Sequence, residues 1–99
     1  MKVQISNIIS NKGNFFKGIK ILSPRIFEDN RGYFYESWNK SVLDENIYKI
    51  DFCQENHSYS KKNVLRGLHY QLNPYCQGKL IRVVKGEIYD VIVDLRKES

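Results

Sequence analysis

Apolar and polar residues alternate over much of the chain, and the alternation is interrupted at clusters of Gly, Asn and Pro. This is the pattern of short half-buried strands joined by turns. "SNKGN", Ser10 to Asn14, reads as a turn from its Gly and Asn content. Phe15 to Phe27 then reads as extended, with Pro24 confining its part of the run to an edge or a break. "EDNRG", Glu28 to Gly32, holds the residue types of a tight turn, and "YFYES" follows as a short aromatic strand. One helix is predicted, over Asn39 to Ile47, where Val42 and Leu43 precede Ile47 by about one turn and Asn39 or Ser41 can cap.

The rest of the chain predicts β structure. Lys49 to Ser58, Val64 to Gln71, Lys79 to Val84 and Glu87 to Arg96 are apolar-rich runs separated by turn signals. "VVKGEIYDVIVDL" reads as a hairpin, because Gly86 supplies the positive φ that a Lys85-Gly86 turn needs. In its last strand Tyr89, Val91, Val93 and Leu95 share one face, and Ile88, Asp90, Ile92 and Asp94 the other. The fold class predicted is all-β, an antiparallel sandwich or barrel with one short helix. "VDLRKES" follows a strong strand with no closing turn, so either a partner covers that edge or the domain is incomplete.

Composition adjusts this picture only a little. A chain of 99 residues predicts a single domain over 1–99. An apolar share of 41% and 13% aromatics fit a globular protein and exclude a disordered one. The net charge of +5 means either a basic surface or an anionic partner, nucleic acid or a phosphorylated ligand. No run approaches the roughly 20 apolar residues of a spanning helix, and "MKVQISNIIS" lacks the apolar core of a signal peptide. No membrane association and a cytoplasmic location are therefore expected. Cys53 and Cys76 form neither a CxxC pair nor part of a ligand series, so two free thiols are expected rather than a disulfide or a zinc site.

The informative residues are the polar ones inside strands, because a half-buried strand tolerates charge poorly without a reason. His69 is followed by Tyr70 and Gln71, not by a second histidine at the His-x-His spacing, so no metal is predicted. An imidazole with no metal is either a hydrogen-bonded structural group or a general base, which its ordinary pKa of ~6.5 suits. His57, near a turn, fits the structural role better. Arg31, Arg66, Lys79 and Arg82 are either solvated surface charges or a diphosphate clamp. No Gly-rich phosphate loop is present, which excludes P-loop chemistry, and the sheet lacks the aromatic pattern of RNA-binding motifs. "NVLRGLHYQ" poses a puzzle of facing. Arg66 and His69 stand three residues apart and face opposite ways in a regular strand. A glycine inside a strand often marks a bulge, so sharing one ligand predicts an irregularity at Gly67 or an Arg66 that reaches around the rim.

The stretches "FEDNRGYFYES", "FCQENHSYSKKNVLRGLHYQ" and "QGKLIRVVKGEIYDVIVDLRKES" together resemble the amino-terminal part of the dTDP-4-dehydrorhamnose 3,5-epimerase family. The resemblance implies a cupin-type jelly-roll β-barrel, incomplete in this chain, that forms a homodimer when the barrel is complete. It implies a cofactor-free isomerase of dTDP-rhamnose biosynthesis acting on a dTDP-sugar. His69 would match the base that removes the protons at C3 and C5, and Lys79 the cation near the C4 ketone oxygen. Phe27, Arg31, Glu36, Gln54, Glu55, Asn56 and Arg66 would match substrate contacts, with Phe27 near the thymine and Arg66 near the diphosphate. Family members run to nearly twice this length. The tyrosine that acts as acid and the aspartate that orients the histidine have no counterpart here, which predicts a chain with poor or no activity by itself. Three other readings stay open: a non-catalytic dTDP-sugar-binding or assembly module, a related sugar-nucleotide ketoisomerase, and, last, a basic nucleic-acid-binding β-domain.

Overall fold

The computed structural model describes residues 2–74 and 77–96. Its regular structure is β-sheet with one short helix. The elements are β1 (Val3–Ile9), β2 (Phe15–Pro24), β3 (Phe27–Asp29), β4 (Gly32–Phe34) and α1 (Lys40–Asn46). β1 pairs with β2 and β3 with β4, each pair an antiparallel two-stranded sheet. The chain divides into two compact units, Met1–Lys49 with Asp90–Ser99, and Ile50–Tyr89.

In the first unit β1 and β2 run in register from Val3 opposite Pro24 to Asn7 opposite Lys20, and a bulge between Asn7 and Ile9 then shifts the pairing. Val3 and Ile5 are half-buried while Gln4 and Ser6 are exposed. Past the bulge the phase changes and Ile8 is the half-buried residue, because an extra residue turns the pleat over. The turn expected over Ser10 to Asn14 is present. Ser10 donates its N–H to the Asn14 carbonyl at 2.7 Å, and its hydroxyl accepts from the Asn14 N–H at 3.2 Å. Pro24 ends β2, as the loss of its backbone donor requires. β1 was not foreseen as a strand, and it is what converts the apolar run of β2 into a ladder.

The helix forms one residue inside its predicted limits at each end. Asn39 is its N-cap, with the side-chain oxygen accepting from the Val42 N–H at 3.2 Å, which satisfies one of the donors the first turn leaves unpaired. Ile47 closes it, donating to the Leu43 carbonyl at 2.9 Å. Leu43, at 6% exposure, is the one buried hydrophobic among the described residues. Beyond the helix Tyr48 approaches β2 at Gly18, where a Cβ would lie 2.9 Å from the phenolic oxygen and where φ is +87°. Only glycine meets both conditions without strain. Arg96 closes the unit from the far end of the sequence, donating from Nη2 to the Lys17 carbonyl at 2.7 Å.

The second unit contains no strand or helix among its described residues. Four predicted strands are therefore corrected: Lys49 to Ser58, Val64 to Gln71, Lys79 to Val84 and Glu87 to Arg96 are not laddered. The physical reason is that an apolar alternating run becomes a strand only where another strand meets its N–H and C=O groups and a layer covers one face. Here every described residue from 51 to 89 is exposed. The turn chemistry survives without the ladder. The chain bends at 84–86 with Gly86 at φ +86°, the conformation expected for the Lys85-Gly86 turn. Cys53 is a free, exposed thiol, and Cys76 lies outside the described residues. No helix among the described residues is long and apolar enough to cross a membrane.

Candidate functional site

The sequence-derived site residues fall into both units. Phe27, Arg31 and Glu36 belong to the first, and Gln54, Glu55, Asn56, Arg66, His69 and Lys79 to the second.

In the first unit the β3–β4 hairpin pairs Phe27 with Phe34 and Asp29 with Gly32, so the turn holds Asn30 and Arg31. Asp29 accepts from the Arg31 N–H at 2.8 Å and from Nη2 at 2.6 Å. This side-chain and backbone bonding holds the Asp29 carboxyl below the usual carboxylate range and raises Arg31. Phe27, Asp29, Arg31, Gly32, Tyr33 and Phe34 line a hollow of about 220 Å³. That is smaller than the ~300–1,000 Å³ of small-molecule sites, so it can take only part of a nucleotide-sized ligand. The Arg25 guanidinium lies over the Phe27 ring, 4.9 Å from its centroid. Sequence reasoning missed Arg25, although its spacing of two from Phe27 puts both on one side of an extended chain. Glu36 accepts from the Asn39 amide at 2.5 Å, tying a candidate contact residue to the helix cap.

In the second unit Gln54 donates to Asn56 at 3.3 Å, which brings two of the "QEN" residues together, and Glu55 between them is exposed. Arg66 donates from Nε to the Ser60 hydroxyl at 2.8 Å and from Nη2 to the Tyr59 carbonyl at 3.2 Å. The loop it spans turns where Val64 donates to the Lys61 carbonyl at 3.3 Å, with Asn63 at φ +67°. Gly67 stands at φ +121°, in a stretch that forms no strand, so the strict alternation that set Arg66 and His69 on opposite faces does not apply there. His69 and Lys79 are both exposed, and no hydrogen bond or ion pair reaches either from the described residues. Gly78, before Lys79, packs on Ile50; a Cβ there would lie 3.1 Å from its Cδ1. No group of three or more His, Cys, Asp or Glu side chains is placed to share a metal among the described residues.

Comparison with known proteins gives these residues a context. The sequence model of the dTDP-4-dehydrorhamnose 3,5-epimerase family matches residues 14–99. The chain is 56% identical over 82 residues to the dTDP-4-dehydrorhamnose 3,5-epimerase of Shigella flexneri, covering 82% of this chain and 45% of the relative. It is 55% identical to that of Salmonella typhimurium, with the same two coverages, 82% and 45%. It is 50% identical to that of Methanothermobacter thermautotrophicus, covering 83% of this chain and 44% of the relative. The chain thus spans a little under half the length of these curated relatives. No solved structure matches it. With the family model matching residues 14–99, which include each of the nine candidate residues, the chain belongs to the dTDP-4-dehydrorhamnose 3,5-epimerase family.

Proposed function

We propose that the chain contributes the base and nucleotide-binding half of a 3,5-epimerase acting on dTDP-4-dehydro-6-deoxy-D-glucose. In this reading the His69 imidazole removes the protons at C3 and C5, both α to the C4 ketone. A ketone α-proton is weakly acidic, so charge must be stabilised on oxygen as the proton leaves, and the Lys79 ammonium supplies that. Inversion at each carbon then requires a proton delivered to the opposite face, by an acid that none of the nine candidate residues supplies. Arg66 takes the diphosphate, Phe27 the thymine, and Arg31, Glu36, Gln54, Glu55 and Asn56 the rest of the nucleotide sugar. No cofactor enters, because proton abstraction next to a carbonyl needs none.

One observation carries the reading. Within a family-matched stretch, His69, to which no hydrogen bond runs from the described residues, stands three residues from a guanidinium held by neutral partners. The reading includes the amino-terminal part of a cupin-type jelly roll over 1–99, a homodimer when the barrel is complete, and a cytoplasmic location.

The test is proton exchange. Incubated with the keto-sugar nucleotide in deuterated water, the chain should incorporate deuterium at C3 and C5, and His69→Ala should abolish it. A second reading, a dTDP-sugar-binding module without catalysis, is favoured by one fact: no described residue orients His69. Saturable dTDP-sugar binding without any exchange would establish that module and remove the epimerase.

A further inference from the structure

The arginines of this chain differ in what neutralises them. Arg31 and Arg96 each face a carboxylate, from Asp29 at 2.6 Å and Asp94 at 2.7 Å. Arg66 is bonded to a hydroxyl and a backbone carbonyl, both uncharged. Among the described residues no carboxylate pairs with it, and its loop also carries Lys61 and Lys62.

The pattern of donors is equally telling. A guanidinium has five N–H groups arranged as forks that match carboxylate or phosphate oxygens. Ser60 and Tyr59 take the fork made by Nε and Nη2. The end fork, with one N–H from each Nη, is left whole. A guanidinium pinned along one edge cannot turn about its last bonds, so its end fork is presented in one direction. Fixing it beforehand spares the ligand that ordering cost.

We infer that Ser60 is the positioning residue of the phosphate site: with the Tyr59 carbonyl it holds Arg66 by its side, so that the end fork meets a nucleoside diphosphate. The inference rests on the proposed role of Arg66 and adds the residue that aims it. Ser60 touches no ligand in this account and acts only through Arg66.

The test compares dTDP with thymidine, which lacks the phosphates, by titration calorimetry or ligand-observed NMR on the full chain. Ser60→Ala should weaken dTDP by about fivefold, because the ligand must then order a guanidinium no longer held in place. Its thymidine affinity should not change, which also shows that the variant is folded. Ser60→Thr keeps the hydroxyl and should stay within about twofold of the parent. In an Arg66→Ala background, Ser60→Ala should have no further effect on dTDP. An equal loss of dTDP and thymidine in Ser60→Ala would make Ser60 a structural residue and overturn the inference. So would a loss in Arg66→Ala with none in Ser60→Ala, which leaves the phosphate role of Arg66 standing. Failure of the unaltered chain to bind dTDP would overturn that role itself.

Discussion

Both units of this chain carry alternating apolar residues, and they use them differently. In the first, Val3 and Ile5 alternate with Gln4 and Ser6, and the alternation is matched by a ladder to β2. In the second, "KLIRVV" is nearly as rich in strand-forming residues, yet no ladder forms among the described residues. Leu65 and Tyr89 stand 94% and 95% exposed. The difference teaches that alternation specifies which side of a strand will be covered but does not supply the cover. β1 and β2 are joined by a five-residue turn and find each other locally. The runs in the second unit are joined by turns too, but have no layer to pack on.

That comparison can be broken most directly at two leucines. Leu43→Ala removes the buried side chain of the helix and should cost about 2 kcal/mol, the low end for a core leucine because its surroundings are half-exposed. Leu65→Ala should change stability by less than about 0.5 kcal/mol. Urea denaturation of the two variants measures both, and equal losses would mean that the second unit has a core in solution.

A pair of glycines sharpens it further. Gly18 and Gly86 have nearly the same φ, +87° and +86°, but a Cβ at Gly18 meets Tyr48 while one at Gly86 meets nothing within 4 Å. Alanine at either position bears backbone strain of about 1 kcal/mol. Gly18→Ala should cost roughly another 1 kcal/mol, because the Tyr48 ring must move. Thermal melts giving the same loss for both would show that Tyr48 does not sit against β2.

Asn39→Ala tests the helix start. It removes the cap on Val42 and the partner of Glu36, and should destabilise the first unit by about 1 kcal/mol, read as helical ellipticity and melting temperature. The smallest effect is electrostatic. Bonding to Arg96 lowers Asp94 to about 2. A depressed carboxylate stabilises the fold above its unfolded pKa of ~3.9 and loses that contribution as pH falls towards its folded value. Acid titration of the melting temperature between pH 5 and pH 2 should therefore show a small fall that Asp94→Asn reduces. The Arg96 side of the pair is solvent-exposed although Asp94 is half-buried, so the fall is partly screened by salt. An unchanged acid slope in Asp94→Asn would exclude the Arg96 clasp as a stabilising contact.

For the backbone, legibility in the sequence followed the range of the interaction. The cap at Asn39, the turn at Ser10 to Asn14, the break at Pro24 and the bend at Gly86 depend on residues within about four positions, and all were readable. The bulge past Asn7 and the packing of Tyr48 on Gly18 were not, since each depends on a partner at least six residues away. For the candidate site, the motif stretches marked His69, Lys79 and Arg66 as residues with a task. They did not reveal that Asp29 pairs with Arg31, that Arg25 covers Phe27 or that Ser60 holds Arg66. These are side-chain contacts, and residue type alone does not select among the possible partners.

The sequence by itself therefore determined the β character, the place of the helix, the turns and membership of an epimerase family, because these rest on local propensity and on motif. Tertiary structure alone decided which apolar runs became ladders, while side-chain contacts decided that Arg66 is held by neutral groups and Arg31 and Arg96 meet carboxylates. A strand needs a neighbour, and a charge takes its role from what surrounds it.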